Sequence, residues 1–258
     1  MCLLLLALRV DPQRPLLLLG NRDEFHARPS AAAAPWPEDP RVVGGRDLQA
    51  GGAWLGLRAG GRFAVVTNRR QPQLQTAPRS RGALVRDYLL GDADAAAFAA
   101  QAARDHDAYA PFNLLLGDAA AAFGVDGVSG RAFPLESGLH GMSNGPWDAR
   151  WPKTERLREG VAARLADGDD DTLLDLLADT AQPPDAVLPD TGAGIERERL
   201  LAPIFIRGAD YGTRACSLVW VRADGACGLC ERRYGRDGVA QGATRWRRDP
   251  GASRWAPD

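Results

Sequence analysis

An α+β fold built on antiparallel sheets is predicted for this 258-residue chain, and three features of the sequence predict it. Pairs of short apolar runs that read as hairpins stand near both ends. Helical stretches come in blocks between them and do not alternate one by one with strands. Neither a repeat nor a linker long enough to separate domains interrupts residues 1–258, so a single domain is expected.

Each element follows from local pattern. Residues 3–9 are nearly all aliphatic, which suits a strand buried on both faces. The Asp11-Pro12 turn leads to a second aliphatic run at 16–19, and the two read as a β-hairpin. NRDEFHARP is expected to leave it as a loop, and the Ala/Pro-rich stretch 31–39 reads as irregular. Strands are expected at 54–58 and 62–67, joined at Gly60-Gly61, a tight-turn pair. Helices follow at 81–90 and 92–104, the second with Asp92 as N-cap. Short strands at 112–116, 120–125 and 131–135 come next, then helices at 153–166 and 171–179 and a polar loop at 182–196. Strands at 202–206, 214–222, 225–234 and 239–245 close the chain.

Composition narrows the function. With 32 basic and 33 acidic residues the formal net charge is −1, which gives no electrostatic reason to expect nucleic acid or an anionic membrane as partner. A neutral or zwitterionic small molecule fits as substrate or ligand; nothing here speaks to oligomeric state. Lys153 is the only lysine, and with the abundant Ala, Gly and Pro this points to a GC-rich bacterial genome. Cys2, Cys216, Cys227 and Cys230 are too few and too uneven for a disulfide scaffold, so a reducing cytoplasm is expected. The N-terminal apolar run has no basic stretch before it, is broken by Arg9 and Asp11, and lacks a small-residue cleavage site. A membrane-spanning helix needs about 20 apolar residues, so no integral membrane association is expected.

Cys2 carries the sharpest chemical expectation. Removal of Met1 would leave a free α-amine on the thiol-bearing residue, so that nucleophile and base share one residue. An α-amine titrates at about 7.7 to 8.0, where a general base works best near neutral pH. The plainer reading is a buried cysteine opening a core strand. Arg22 and Asp23 follow the second hairpin strand, beside the start of the first; a carboxylate there can hold the amine and a guanidinium can lower the thiol pKa. Alone, that cluster reads more readily as a surface salt-bridge loop. Asn68 and Asn144 are candidate oxyanion donors, or plain turn formers. Arg214 opens a strong strand and could hold a carboxylate or cap the nucleophile, or be an edge-strand charge.

MC, LGNRDEF with RP behind it, GGRD with AGGAWLG, GRFAVVTNRR, SRG, FNLLLG, GMSNGPWDARWPK and IFIRGADYGTRACSLV occur in order over nearly the whole chain. On these motifs it is identified as a member of the NRDE protein family, which includes bacterial homologues of the animal transport and Golgi organisation protein. That family is similar to N-terminal nucleophile hydrolases of the choloylglycine hydrolase and penicillin V acylase type. The resemblance implies a four-layer αββα sandwich, two antiparallel sheets flanked by helices, and hydrolysis of carbon–nitrogen bonds in linear amides. It implies Cys2, Asp23, Asn68, Asn144 and Arg214 as catalytic residues. Beside them Arg22, Asn21, Glu24 and Trp54 are binding candidates.

One departure is local. The hydrolases carry an arginine three residues before the aspartate, where this chain has Gly20, and Arg22 stands directly before Asp23 instead. Ala53, Ala215 and Cys216 also stand where other family members commonly carry hydroxyl residues. Animal relatives are linked to haem movement and to lipid or acyl-coenzyme A metabolism, so the alternative is a non-enzymatic haem or hydrophobic-metabolite carrier. Only His26, His106 and His140 are available, without a CxxCH motif, so the sequence gives haem little support, with axial thiolate ligation by Cys2 left open. No cofactor and no metal are expected. Cys227 and Cys230 lack a second ligand pair and fall in a predicted strand, not at a helix N-terminus. Gly44-Gly45 and Gly51-Gly52 lack the Lys-Ser or Lys-Thr of a phosphate loop and read as turns or close backbone approaches.

Overall fold

Every residue of β1 (Cys2–Leu8) is apolar and every one is buried, as a strand covered on both faces requires. The computed structural model describes residues 2–70, 77–147, 149–166 and 168–258, so Met1 lies outside it. β1 pairs antiparallel with β2 (Leu16–Phe25) on one side and β10 (Gly138–Met142) on the other. Beyond β2 the sheet continues through β11 (Tyr211–Val221), β12 (Cys227–Tyr234), β13 (Ala240–Arg248) and β14 (Ala256–Pro257). Its order is β10-β1-β2-β11-β12-β13-β14.

The second sheet is a meander of β3 (Ser30–Pro35), β4 (Val42–Asp47), β5 (Leu55–Arg58), β6 (Arg62–Asn68), β7 (Phe112–Gly117), β8 (Ala122–Asp126) and β9 (Arg131–Pro134). Its strands pair antiparallel, each with the next in sequence. Gly60 and Gly61, at φ +90° and +87°, belong to the three-residue β5–β6 loop between the paired Arg58 and Arg62, where the backbone takes conformations that favour glycine.

Strand alternation divides the apolar residues into three cores. Leu4, Leu6, Leu16 and Leu18 from the first sheet meet Val43, Leu57, Phe63 and Val65 from the second, so the sheets pack face to face. On the outer side of the first sheet Leu3, Leu5, Leu17 and Leu19 are covered by α3 (Pro152–Ala162) and α4 (Asp170–Asp175), through Leu157, Val161 and Leu173. On the outer side of the second, Ala64, Val66 and Leu114 are covered by α1 (Arg81–Leu90) and α2 (Ala95–Arg104), through Leu84, Val85 and Ala99. The result is the expected αββα sandwich. Leu18→Ala would open a cavity in its inner core and should cost about 2–5 kcal/mol in urea unfolding, whereas the exposed Val239→Ala should stay within about 0.5 kcal/mol.

Several elements differ from the sequence expectation. The NRDEF stretch is the second half of β2, because β1 and β11 pair with it from both sides and satisfy its backbone despite its charges. The Ala/Pro-rich stretch holds β3, and β4 and β10 are strands that the pattern did not reveal. Residues 202–206 are no strand: Pro203 interrupts them, and Ile204 and Phe205 pack into the first sheet's outer core. The polar loop ends earlier than expected, in α5 (Ile195–Leu201). Asp94, not Asp92, caps α2 by accepting from the Ala97 amide; Asp92 pairs with Arg58 instead. Cys227 faces the inner core and Cys230 the outer one, so strand geometry turns the two sulfurs away from each other. No helix among the described residues is long and apolar enough to cross a membrane.

Candidate active site

Because Cys2 opens β1, its side chain sits at the end of the inner core while its main chain faces the strand ends of both sheets. Register places it opposite Arg22 on β2. The segment 143–145, which leaves β10, is stitched across this end. The Cys2 N–H donates to Asn144 Oδ1 at 3.3 Å, and Ser143 Oγ donates to the Cys2 carbonyl at 3.0 Å. From the second sheet, Thr67 Oγ1 donates to the Ser143 carbonyl at 2.8 Å, and Asn113 Nδ2 donates to the carbonyls of Ser143 and Gly145. Asn144 Nδ2 donates to the Asn68 carbonyl at 2.7 Å. The Asn144 side chain is thus held at its oxygen and through one of its two amide hydrogens, which makes it a clamp on the Cys2 nitrogen and leaves one N–H unassigned.

Asp23 lies on the opposite face of β2 from Arg22, at the same strand end. Thr213 Oγ1 donates to its Oδ1 at 2.7 Å, the Ile206 amide donates to Thr213 Oγ1 at 2.9 Å, and Tyr211 OH donates to its main-chain carbonyl at 3.0 Å. Burial raises the Asp23 pKa, and the charge of Lys153 works against that rise. Lys153 is itself buried, with Nζ donating to the Leu201 carbonyl at 3.0 Å; burial lowers its pKa and Asp23 opposes the shift. Burial also pushes the Cys2 thiol up, against the Arg22 charge and a hydrogen bond from the Asp23 amide. The resting thiol keeps its proton and needs a base.

A cavity of about 270 Å³ opens in front of the thiol, with Cys2, Arg22, Asp23, Glu24, Trp54 and Asn68 among its lining residues. Arg81 lines it as well, carried on the first turn of α1. Ser80 caps that helix by accepting from the Gly82 amide, and the helix start comes so close to Gly52 that a Cβ there would lie 2.5 Å from Gly82 carbon. This close approach explains Gly52 of AGG and Gly82 of SRG, while Gly51 takes a positive φ of +66°. Burial lowers the Arg81 pKa, and the charges of Cys2 and Glu24 oppose it. A larger cleft of about 800 Å³ lies beside Asp11–Arg14, at the opposite end of the β1–β2 hairpin, and has no cysteine or histidine in its wall.

Two expected site residues fall elsewhere. Asn21 alternates to the outer face of β2, where its Nδ2 donates to the carbonyls of Leu177 and Ile204. Arg214 is the extra residue of a β-bulge between Thr213 and Ala215, which turns Thr213 toward Asp23 and re-aims the guanidinium. It donates to the carbonyls of Phe25 and Arg28 and lines a smaller neighbouring pocket, not the Cys2 cavity. Thr213, Lys153, Asn113, Ser143 and Arg81 were not singled out as site residues. The one available signal was Lys153, the single lysine of an arginine-rich chain.

Glu231, on the inner face of β12, is buried, and Oε1 accepts from the Ala33 amide at 2.9 Å. Burial holds its pKa above the ordinary value of about 4.5. A carboxyl raised in the folded state contributes stability present below its unfolded pKa and lost as pH rises through the folded one. Glu231→Gln should remove that loss. Urea midpoints taken at pH 5 and pH 8 should therefore fall less for the variant than for the parent.

The Transport and Golgi organisation 2 family model matches residues 1–236. A bovine Transport and Golgi organization protein 2 homolog is 33% identical over 250 residues, covering 90% of this chain and 89% of the relative. The human homolog is 34% identical over 236 residues, covering 84% and 86%. Among solved structures, a Caenorhabditis elegans ortholog of N-acylethanolamine-hydrolyzing acid amidase overlaps with a TM-score of 0.47 at 10% identity, over 84% of this chain and 92% of that one. A mutant conjugated bile acid hydrolase from Clostridium perfringens overlaps with a TM-score of 0.48 at 8% identity, over 100% and 92%. Overlap at that level carries no inference about chemistry. The family match and the two mammalian relatives do establish kinship: this chain belongs to the Transport and Golgi organisation 2 family.

Proposed function

We propose that the protein is an N-terminal cysteine amidohydrolase or acyl-transfer enzyme acting on a small linear amide or acyl compound. The observation that carries this reading is the clamp of the Cys2 nitrogen by Asn144 at the mouth of a cavity into which thiol, carboxylate and guanidinium groups converge. With Met1 removed, that nitrogen is an amine with two N–H bonds and a lone pair. Asn144 Oδ1 and the Asp23 carboxylate supply acceptors for the N–H bonds, which turns the lone pair to the thiol.

The amine takes the thiol proton as sulfur bonds to the acyl carbon, and the carbonyl π pair moves to oxygen, where Asn68 Nδ2 is the donor. Collapse breaks the carbon–nitrogen bond, and the α-ammonium gives its proton to the departing amine. A water molecule, deprotonated by the same amine, then cleaves the thioester and returns the thiol.

The carrier reading is less favoured. His26 and His140 are bound to the carbonyls of Gly208 and Glu136, and none of the three histidines lines the Cys2 cavity. Its charged walls suit a polar substrate better than a flat apolar macrocycle. Two measurements test the enzymatic reading. Intact mass of the purified protein should lack Met1, and rapid acid quench during turnover of an amide panel should trap an acyl group on the N-terminal peptide. Retained Met1 together with turnover would overturn the shared nucleophile and base.

A further inference from the structure

The inner face of the first sheet carries an unused row beside the nucleophile. Cys2 stands opposite Arg22, Arg22 opposite Ala215, and Ala215 opposite Arg233, so one row crosses four adjacent strands. Strands lie about 4.8 Å apart, which sets Ala215 about 10 Å from Cys2. The small Ala215 side chain leaves a pocket of about 60 Å³ between the two arginines, with room for a group of a few heavy atoms. Arg22 and Trp54 line both this pocket and the Cys2 cavity, so the two spaces share a wall.

We propose that Arg22 and Arg233 form a subsite for a substrate carboxylate, held above Ala215 about 10 Å from the Cys2 thiol. The proposal rests on Cys2 being the reacting group and names the class of amide it takes: one with a carboxylate about eight bonds along an extended chain from the scissile carbonyl. Arg22 is only 8% exposed, and its side chain has no hydrogen-bond or ion-pair partner among the described residues. Arg233 Nε is likewise buried without an acceptor. A buried guanidinium beside a half-buried one, both facing one small space, gains from an anion between them, and their planar forks fit a carboxylate.

The neighbouring charges do not cancel this. Arg46 is paired with Glu38, and Arg214 is spent on main-chain carbonyls and Ser30. Glu231 is the carboxylate in the pocket wall; its Oε1 accepts from the Ala33 amide, and the charges of Arg233 and Arg22 act on it without a hydrogen bond or ion pair to either, so it balances the two guanidiniums only in part. Near-neutral net charge over the whole chain hid this local row.

The test is calorimetric titration of the Cys2→Ala protein with suberic acid monoamide, its neutral diamide, and succinic acid monoamide. The eight-carbon acid should bind at least about tenfold more tightly than either of the others. Arg233→Gln should bring the acid and the diamide within about twofold, and Arg233→Lys should restore part of the difference. Should Arg233→Gln not fold, Ala215→Leu fills the same space and should erase the same preference. Absent or equal binding of acid and diamide, or a preference that survives Arg233→Gln, would each overturn the subsite. No arm measures turnover, so failure of the nucleophile reading and failure of this one are told apart.

Discussion

Replacing Cys2 by alanine is expected to lower amide turnover by on the order of 10⁴-fold while the thermal melt stays close to that of the parent. The two halves of this expectation come from different features. Only a sulfur is lost at the end of a strand whose other residues, Leu3 to Leu8, hold the two cores in place. The Asn144 clamp reaches the Cys2 nitrogen, not its side chain, so the site's scaffold survives the change. Cys2→Ser keeps shape and polarity but offers a poorer nucleophile in the same desolvated place, and should lose on the order of 10²-fold or more. In the parent, kcat/KM should rise as pH climbs through the α-amine pKa, because only the neutral amine can take the thiol proton. A form that keeps Met1 should lack that rising limb. Equal rates for parent and Cys2→Ala would remove the nucleophile from this site altogether.

How much of this was readable in advance depends on whether a residue's role is set by its neighbours in the chain or across the fold. β1 was legible because an unbroken aliphatic run needs two covered faces, and that requirement is local. Cys2, Asp23 and Asn144 were legible because motif order placed them at strand ends. The second half of β2 was not, since Asn21, Arg22, Asp23 and Glu24 read as solvent-loving until β11 is known to lie beside them. The same alternation then sorted them, sending Asn21 and Asp23 to the outer face and Arg22 to the inner one. Asn21 shares the outer face with Asp23 but stands one step further from the strand end, where it bonds the Leu177 and Ile204 carbonyls and misses the cavity. Arg214 was misplaced for another reason: one extra residue reverses which face a side chain takes, and no local pattern around TRAC announces a bulge. Asn113, Thr67 and Ser143 act only through hydrogen bonds between segments far apart in sequence, which a linear reading does not supply.

Glu198→Ala is expected to be the most destabilising of the single changes considered, at about 3–5 kcal/mol, although ERER in the sequence looks like a solvated helix face. The Glu198 side chain is 4% exposed and pairs with Arg70, itself 8% exposed. It also accepts from the Thr191 amide and hydroxyl. Arg70 lies over the Trp151 ring at 5.0 Å, and its amide donates to the Asn144 carbonyl at 2.8 Å. A continuous line of contacts thus runs from α5 through Glu198 and Arg70 to the residue that clamps the Cys2 nitrogen. Removing the carboxylate takes the paired charge from a buried guanidinium, which costs far more than the pair's own net contribution. At about 2–4 °C per kcal/mol, the melt should fall by roughly 6–20 °C. Glu198→Gln keeps an acceptor for Thr191 while losing the charge, and should fall between the parent and Glu198→Ala. Loosening Asn144 should also lower kcat more than it raises KM, since the clamp orients the base and does not itself bind substrate. A loss below about 1 kcal/mol in urea unfolding would mean that the pair is solvated in the native protein and that α5 does not brace the site.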